Sequence, residues 1–80
     1  SGALYRLTAV AAAIGGVPLT RAADVARVAA GLDVRFVPGA GGDQVLLAGR
    51  DVSAEIRSEE AGSGASIVAV MPAVRAALVD

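Results

Sequence analysis

The 80-residue sequence contains no cysteine, histidine, lysine or tryptophan, and only one phenylalanine and one tyrosine. Without cysteine there is no disulfide to support a small core, and without His or Cys the common zinc and thiolate sites are excluded. A metal could be held only by carboxylates, carbonyls or water, which is Mg²⁺-like chemistry. All seven positive charges are arginines, so chemistry that needs a lysine ammonium is excluded, including a complete phosphate-binding P-loop within these residues. The formal charge of −1 and the scarcity of aromatics argue against a nucleic-acid surface. The longest apolar run, Ala9 to Ile14, is far shorter than the roughly 20 residues of a membrane span. A single soluble, cytoplasmic domain is the expectation. The chain opens without methionine and stops at Asp80 within a helix-like pattern, which suggests part of something longer.

Two helices are expected first. Ser1 precedes a segment in which Leu4, Leu7, Ala11 and Ile14 recur at helical spacing, stopped by Gly15-Gly16. Thr20 is expected to cap a second helix that faces inward with Val25, Val28, Ala29 and Leu32, ending at Gly31. The period then changes to two. Val34 to Val37 and Gln44 to Ala48 read as an antiparallel hairpin around a glycine-rich tip. That tip has neither the Lys nor the Ser/Thr of a phosphate-cradling loop, and it joins strand to strand. Ala48 to Asp51 forms a further turn, Val52 adds a short edge strand, and Ser53 is expected to cap a single turn through Ile56. Ser58, followed by Glu59 and Glu60, opens the next helix. Helices plus a small three-stranded antiparallel sheet make a compact α+β unit.

Three polar residues stand out. Arg6 lies off the apolar stripe in the first turn of its helix, as a solvated surface charge or as a phosphate ligand. Ser66 and Arg75 sit in apolar surroundings. On a straight helix nine residues would separate them by about 14 Å and half a turn, but Pro72 should stop or bend the helix between them. One ligand could then touch both. The bland alternatives are a serine bonded to its own helix and an arginine snorkelling from an apolar face. Gly62 and Gly64 cost this helix about 1 kcal/mol each relative to alanine, so either another element or a ligand approaches the backbone closely, or the helix is simply short and packed by Ala61, Ala65, Val68 and Ala69.

The ordered series of motifs resembles bacterial cytidylate (CMP) kinases over essentially the whole chain. Ser1-Gly2-Ala3-Leu4-Tyr5-Arg6 resembles the segment after the family's second strand, which reads Asp/Ser-Ser/Thr-Gly-Ala-aliphatic-Tyr-Arg. Leu32 to Phe36, Val45 to Val52, Ile56 to Glu60, and Ala65-Ser66 through Pro72 to Leu78 follow in the family's order. The resemblance implies an α+β fragment of an α/β P-loop nucleoside-monophosphate kinase, with residues 1–80 as its NMP-binding region and residues 33–56 as the small-sheet insert. It implies that Arg6 holds the CMP phosphate, that Ser66 and Arg75 read the cytosine edge, and that Ser1 helps position the monophosphate. Arg57, in the matching Ile-Arg-Ser motif, is given a structural role in anchoring the insert.

The P-loop core, the downstream Gly-Arg-Asp motif and the arginine-bearing lid are not in these residues. ATP and Mg²⁺ are therefore expected in a full-length enzyme, and this segment alone is expected to be inactive and to bind CMP or dCMP only. That enzyme is expected to be a monomer, with no nucleic-acid or membrane partner. The rival readings are a stand-alone nucleotide-binding or assembly module without catalysis, and a related kinase for another monophosphate.

Overall fold

The computed structural model describes residues 2–79, so Ser1 lies outside the described residues. Helix α1, Gly2–Ile14, runs through the middle of the fold. Its buried face is shifted from the expected stripe as well as wider: Leu7, Thr8, Ala9, Val10 and Ala12 are buried, Leu4 and Ala11 are half-buried, and Ile14 is 46% exposed. The reason is that α1 is covered on more than one side, by the sheet, by α3 and by residues of the second core cluster. Thr8 is tolerated at full burial because its hydroxyl donates to the Leu4 carbonyl at 2.8 Å.

Helix α2 spans Ala22–Ala30. Thr20 does not cap it; Arg21 occupies the N-cap position and makes no side-chain cap bond. The Arg21 N–H instead closes a turn onto the Pro18 carbonyl at 3.1 Å, which places Thr20 inside that turn. Gly31 ends the helix as expected, and exposed Arg21 and Arg27 both pair with Asp24.

The sheet is three-stranded and antiparallel in the order β1-β2-β3, with β1 at Val34–Val37, β2 at Gln44–Leu47 and β3 at Arg50–Asp51. Val34 pairs with Leu47 and Val37 with Gln44. The third strand thus precedes Val52, although the Val52 N–H still donates to Val45 at 2.9 Å. Ala48 and Gly49 both have positive φ, 51° and 84°, the two-residue turn whose twist suits a hairpin.

Ser53 does not cap the following 3₁₀ turn, Glu55–Arg57, whose N-cap position is Ala54. Its hydroxyl is committed elsewhere, donating to Asp51 Oδ1 at 2.6 Å and accepting the Val45 N–H at 2.9 Å. Ser58 does cap α3, Glu59–Val68: its Oγ accepts the Ala61 N–H at 3.1 Å and donates to the Glu55 carbonyl at 2.7 Å. Helix α4, Pro72–Val79, then leaves at 98° to α3. Among the described residues no single helix is long and apolar enough to cross a membrane.

Two core clusters result. Leu7, Val10, Val45, Leu47, Val52 and Ala61 close the sheet onto α1. Val25, Ala29, Val68 and Val74 lie between α2 and α4. Helix α3 contributes to both, Ala61 at one end and Val68 at the other, and so fixes the two halves to each other.

Candidate functional site

The two interior glycines of α3 are where α1 comes close. A Cβ on Gly64 would stand 2.7 Å from the Ala9 Cβ and 3.5 Å from Leu19, so only glycine permits this helix–helix contact. A Cβ on Gly62 would stand 3.3 Å from Nη2 of Arg6, 3.6 Å from its Cζ and 3.7 Å from its Nη1. The close approach is therefore helix packing at Gly64 and a guanidinium at Gly62.

Arg6 is half-buried, and its Nη1 donates to the Ile56 carbonyl at 2.8 Å. That bond joins the second turn of α1 to the 3₁₀ turn that leads from the sheet into α3. Arginine carries five N–H donors, so one bond to Ile56 leaves most of the fork for a ligand. The simple picture of a solvated surface charge does not describe this residue.

Ser66 is exposed, and its hydroxyl donates to the Gly62 carbonyl at 3.2 Å, the bond back to its own helix that a mid-helix serine usually makes. Its oxygen can still accept. Arg75 is exposed on α4 and reaches back across the break, its Nη1 3.3 Å from the Ala69 carbonyl at the C-cap of α3. A cation there satisfies an orphan carbonyl and suits the negative end of the helix dipole.

These contacts set Arg6 and Ser66 on one face of α3 and Arg75 at its C-terminal end. Arg6 lies on residue 62, Ser66 is at 66, and Arg75 touches residue 69. Positions i and i+4 share one face of a helix, and the seven residues from 62 to 69 rise about 10 Å. The bend after α3 is what makes the contact with residue 69 possible for Arg75. A hollow of about 370 Å³ among Ala9, Ala13, Leu19 and Gly64 touches none of the three. Sequence reasoning missed Gly62 as the seat of Arg6 and the Ile56 carbonyl as its tether. The glycine itself was a signal, but nothing local pairs position 6 with positions 56 and 62.

On β3, Asp51 is held below the ordinary carboxylate range, first by the Ser53 hydroxyl and then by the Ser53 N–H, with further help from Gln44 and the charge of Arg57. Among the described residues no three Asp or Glu side chains gather as a metal site.

A permanent cation at one end and a hydroxyl with a second guanidinium at the other have the chemistry that a mononucleotide presents: an anionic phosphate and a base edge with donors and acceptors. The family model for cytidylate kinase matches residues 1–80. The chain is 54% identical over 80 residues to the cytidylate kinase of Saccharophagus degradans, 51% to that of Mannheimia succiniciproducens and 54% to that of Bordetella pertussis. Each alignment covers all of this chain but 36%, 36% and 34% of the respective relative, so the chain spans about a third of their length. The chain belongs to the cytidylate kinase family.

Proposed function

We propose that this chain is the acceptor-binding part of an enzyme that transfers the γ-phosphoryl group of ATP to CMP or dCMP, giving the diphosphate. The observation that carries the reading is the arrangement along α3, with Arg6 on Gly62, Ser66 one turn on, and Arg75 at Ala69. The phosphate end would be bound by Arg6, whose guanidinium stays charged at any physiological pH and forms charge-assisted bonds to phosphate oxygens. The Ser66 oxygen would accept from the exocyclic amine of cytosine. Arg75 would give directional hydrogen bonds to the base carbonyl and ring nitrogen. Ser1, just before α1, would help position the phosphate. Residues 33–56 would be the family's insert, with Arg57 helping to anchor it through Asp51.

This segment's contribution to rate is positioning and charge neutralisation of the acceptor, which is most of what phosphoryl transfer asks of a protein. ATP and Mg²⁺ would be held by the P-loop core and lid that the family resemblance implies and that residues 1–80 do not include. The segment alone would bind CMP without catalysis, and the full-length protein would act as a cytoplasmic monomer, without nucleic acid or membrane.

The test is phosphoryl transfer by the full-length protein with CMP, dCMP, UMP and AMP offered as acceptors. CMP and dCMP should be preferred. Preference for AMP would favour a kinase for another monophosphate, and CMP binding without transfer would favour a non-catalytic module. A coding sequence lacking a Gly-x-x-x-x-Gly-Lys-Ser/Thr loop within a few tens of residues upstream of Ser1 would end the kinase reading.

A further inference from the structure

We infer that Gly62 is a positioning residue for the phosphate-binding guanidinium of Arg6, an assignment that rests on the reading of Arg6 as the phosphate ligand. Three guanidinium atoms lie between 3.3 and 3.7 Å from the point a Cβ at position 62 would occupy, so the group rests across the bare backbone of α3 at that residue. On its other side Nη1 is tied to the Ile56 carbonyl at 2.8 Å. The guanidinium is thus located by a floor and a tether, and its remaining N–H donors are aimed by those two constraints.

The two glycines of α3 differ in what a methyl group would meet. At Gly64 it would meet the Ala9 Cβ at 2.7 Å, and that atom is rigidly attached to α1. At Gly62 it would meet the far end of a flexible side chain, which can yield by the few tenths of an ångström required. The fold therefore does not need glycine at 62. Alanine is the better helix former, so the substitution should leave stability unchanged or raise it. What must shift is the guanidinium, either stretching its bond to Ile56 or rotating its plane. Charge-assisted hydrogen bonds weaken steeply when a donor is misaligned, so the hold of the guanidinium on phosphate falls.

The experiment uses the full-length enzyme and a double-mutant cycle of Gly62→Ala and Arg6→Ala. We expect Gly62→Ala to raise KM for CMP about tenfold, the loss of roughly one charge-assisted hydrogen bond, with KM for ATP unchanged and the melting temperature equal or higher. In the Arg6→Ala background the same substitution should change nothing further. If Arg6→Ala raises KM for CMP and Gly62→Ala does not, the phosphate reading stands and the role of Gly62 is overturned. If neither raises it, the phosphate reading itself falls. An equal effect of Gly62→Ala with and without Arg6 would mean that the methyl acts on nucleotide or fold directly, and a loss of helix content by circular dichroism would contradict the cheap accommodation argued above. Either result overturns the inference.

Discussion

Arg6 and Arg75 carry the same guanidinium to two parts of α3, its interior glycine and its C-terminal end, and the fold holds them by different means. Arg6 is half-buried and held by tertiary structure, with a carbonyl fifty residues away as its acceptor and a glycine of another helix as its floor. Arg75 is exposed and held only across a bend, bonding a carbonyl six residues before it at 3.3 Å. Ser66 resembles Arg75 in this respect, since its one bond is to its own helix. The phosphate end of the proposed site is thus pre-set by packing, while the base end is held by short-range contacts that a ligand can exchange. An end that must hold a dianion still gains from rigidity, and an end that must read a base gains from donors that can turn toward it.

The largest effect should come from removing the tertiary end. Arg6→Ala in the full-length enzyme should cost about 1.5–3 kcal/mol of acceptor binding, the range for hydrogen bonds to charged groups, or roughly 10- to 150-fold in KM for CMP. It should also lower stability, because the part-buried Ile56 carbonyl loses its donor. Steady-state kinetics with a parallel denaturant titration would separate the two losses. An unchanged KM would break the comparison at once.

Next in size is Gly64→Ala. Overpacking typically costs about 1–3 kcal/mol, and the helix propensity of alanine returns about 1, so a net loss of about 1–2 kcal/mol is expected by denaturant titration. The damage should fall on the α1–α3 contact and hence on the Arg6 end. The same chemical change at Gly62 is expected to be neutral or stabilising, so the sign of the difference tests whether the two glycines were read correctly.

Much of this fold was legible because its signals are local. Gly15-Gly16 and Gly31 end helices, Ser58 caps α3, and Pro72 opens a new helix at 98° to the last, all from chemistry within a few residues. The errors arose where a side chain had a competing partner. Ser53 was drawn to Asp51 and to the Val45 N–H, which belongs to a neighbouring strand. Thr20 was displaced by a turn closed on Pro18. For the site, the break showed that Ser66 and Arg75 could face one ligand, and the interior glycines raised a close approach to α3 as one of two readings. That Arg6 is what approaches follows only once α1 is laid against α3, because periodicity within α1 gives no pairing between residues so far apart in sequence.

Arg75→Ala should have a smaller and more selective effect. Its side chain is exposed, so stability should move by no more than about 0.5 kcal/mol. Discrimination should move instead: the ratio of kcat/KM for CMP over UMP should fall by about tenfold, the consequence of losing roughly 1–1.5 kcal/mol of directional bonding. A loss of stability with discrimination intact would show that Arg75 is a C-terminal cap for α3 and nothing more.

The smallest effect, and the one that sharpens the contrast most finely, concerns pH. Asp51 is acidified by the Ser53 hydroxyl first and by the Ser53 N–H next, so its folded-state pKa lies below the unfolded value. Its contribution is therefore complete above the ordinary aspartate range and is lost as pH falls through the lowered folded value. Protonation would weaken the Ser53 link, whose oxygen also accepts the Val45 N–H, and would loosen β2, β3 and the turn leading to Ile56. Arg6 is tethered to that carbonyl; Ser66 and Arg75 are not. In acid, backbone resonances of the sheet and the 3₁₀ turn, and the Arg6 side-chain signals, should shift together, while those around Ser66 and Ala69 should stay in place. Asp51→Asn should abolish that acid transition. If the Ser66 and Ala69 signals move with the sheet, the two ends are one cooperative unit and the distinction between a tertiary and a local end does not hold.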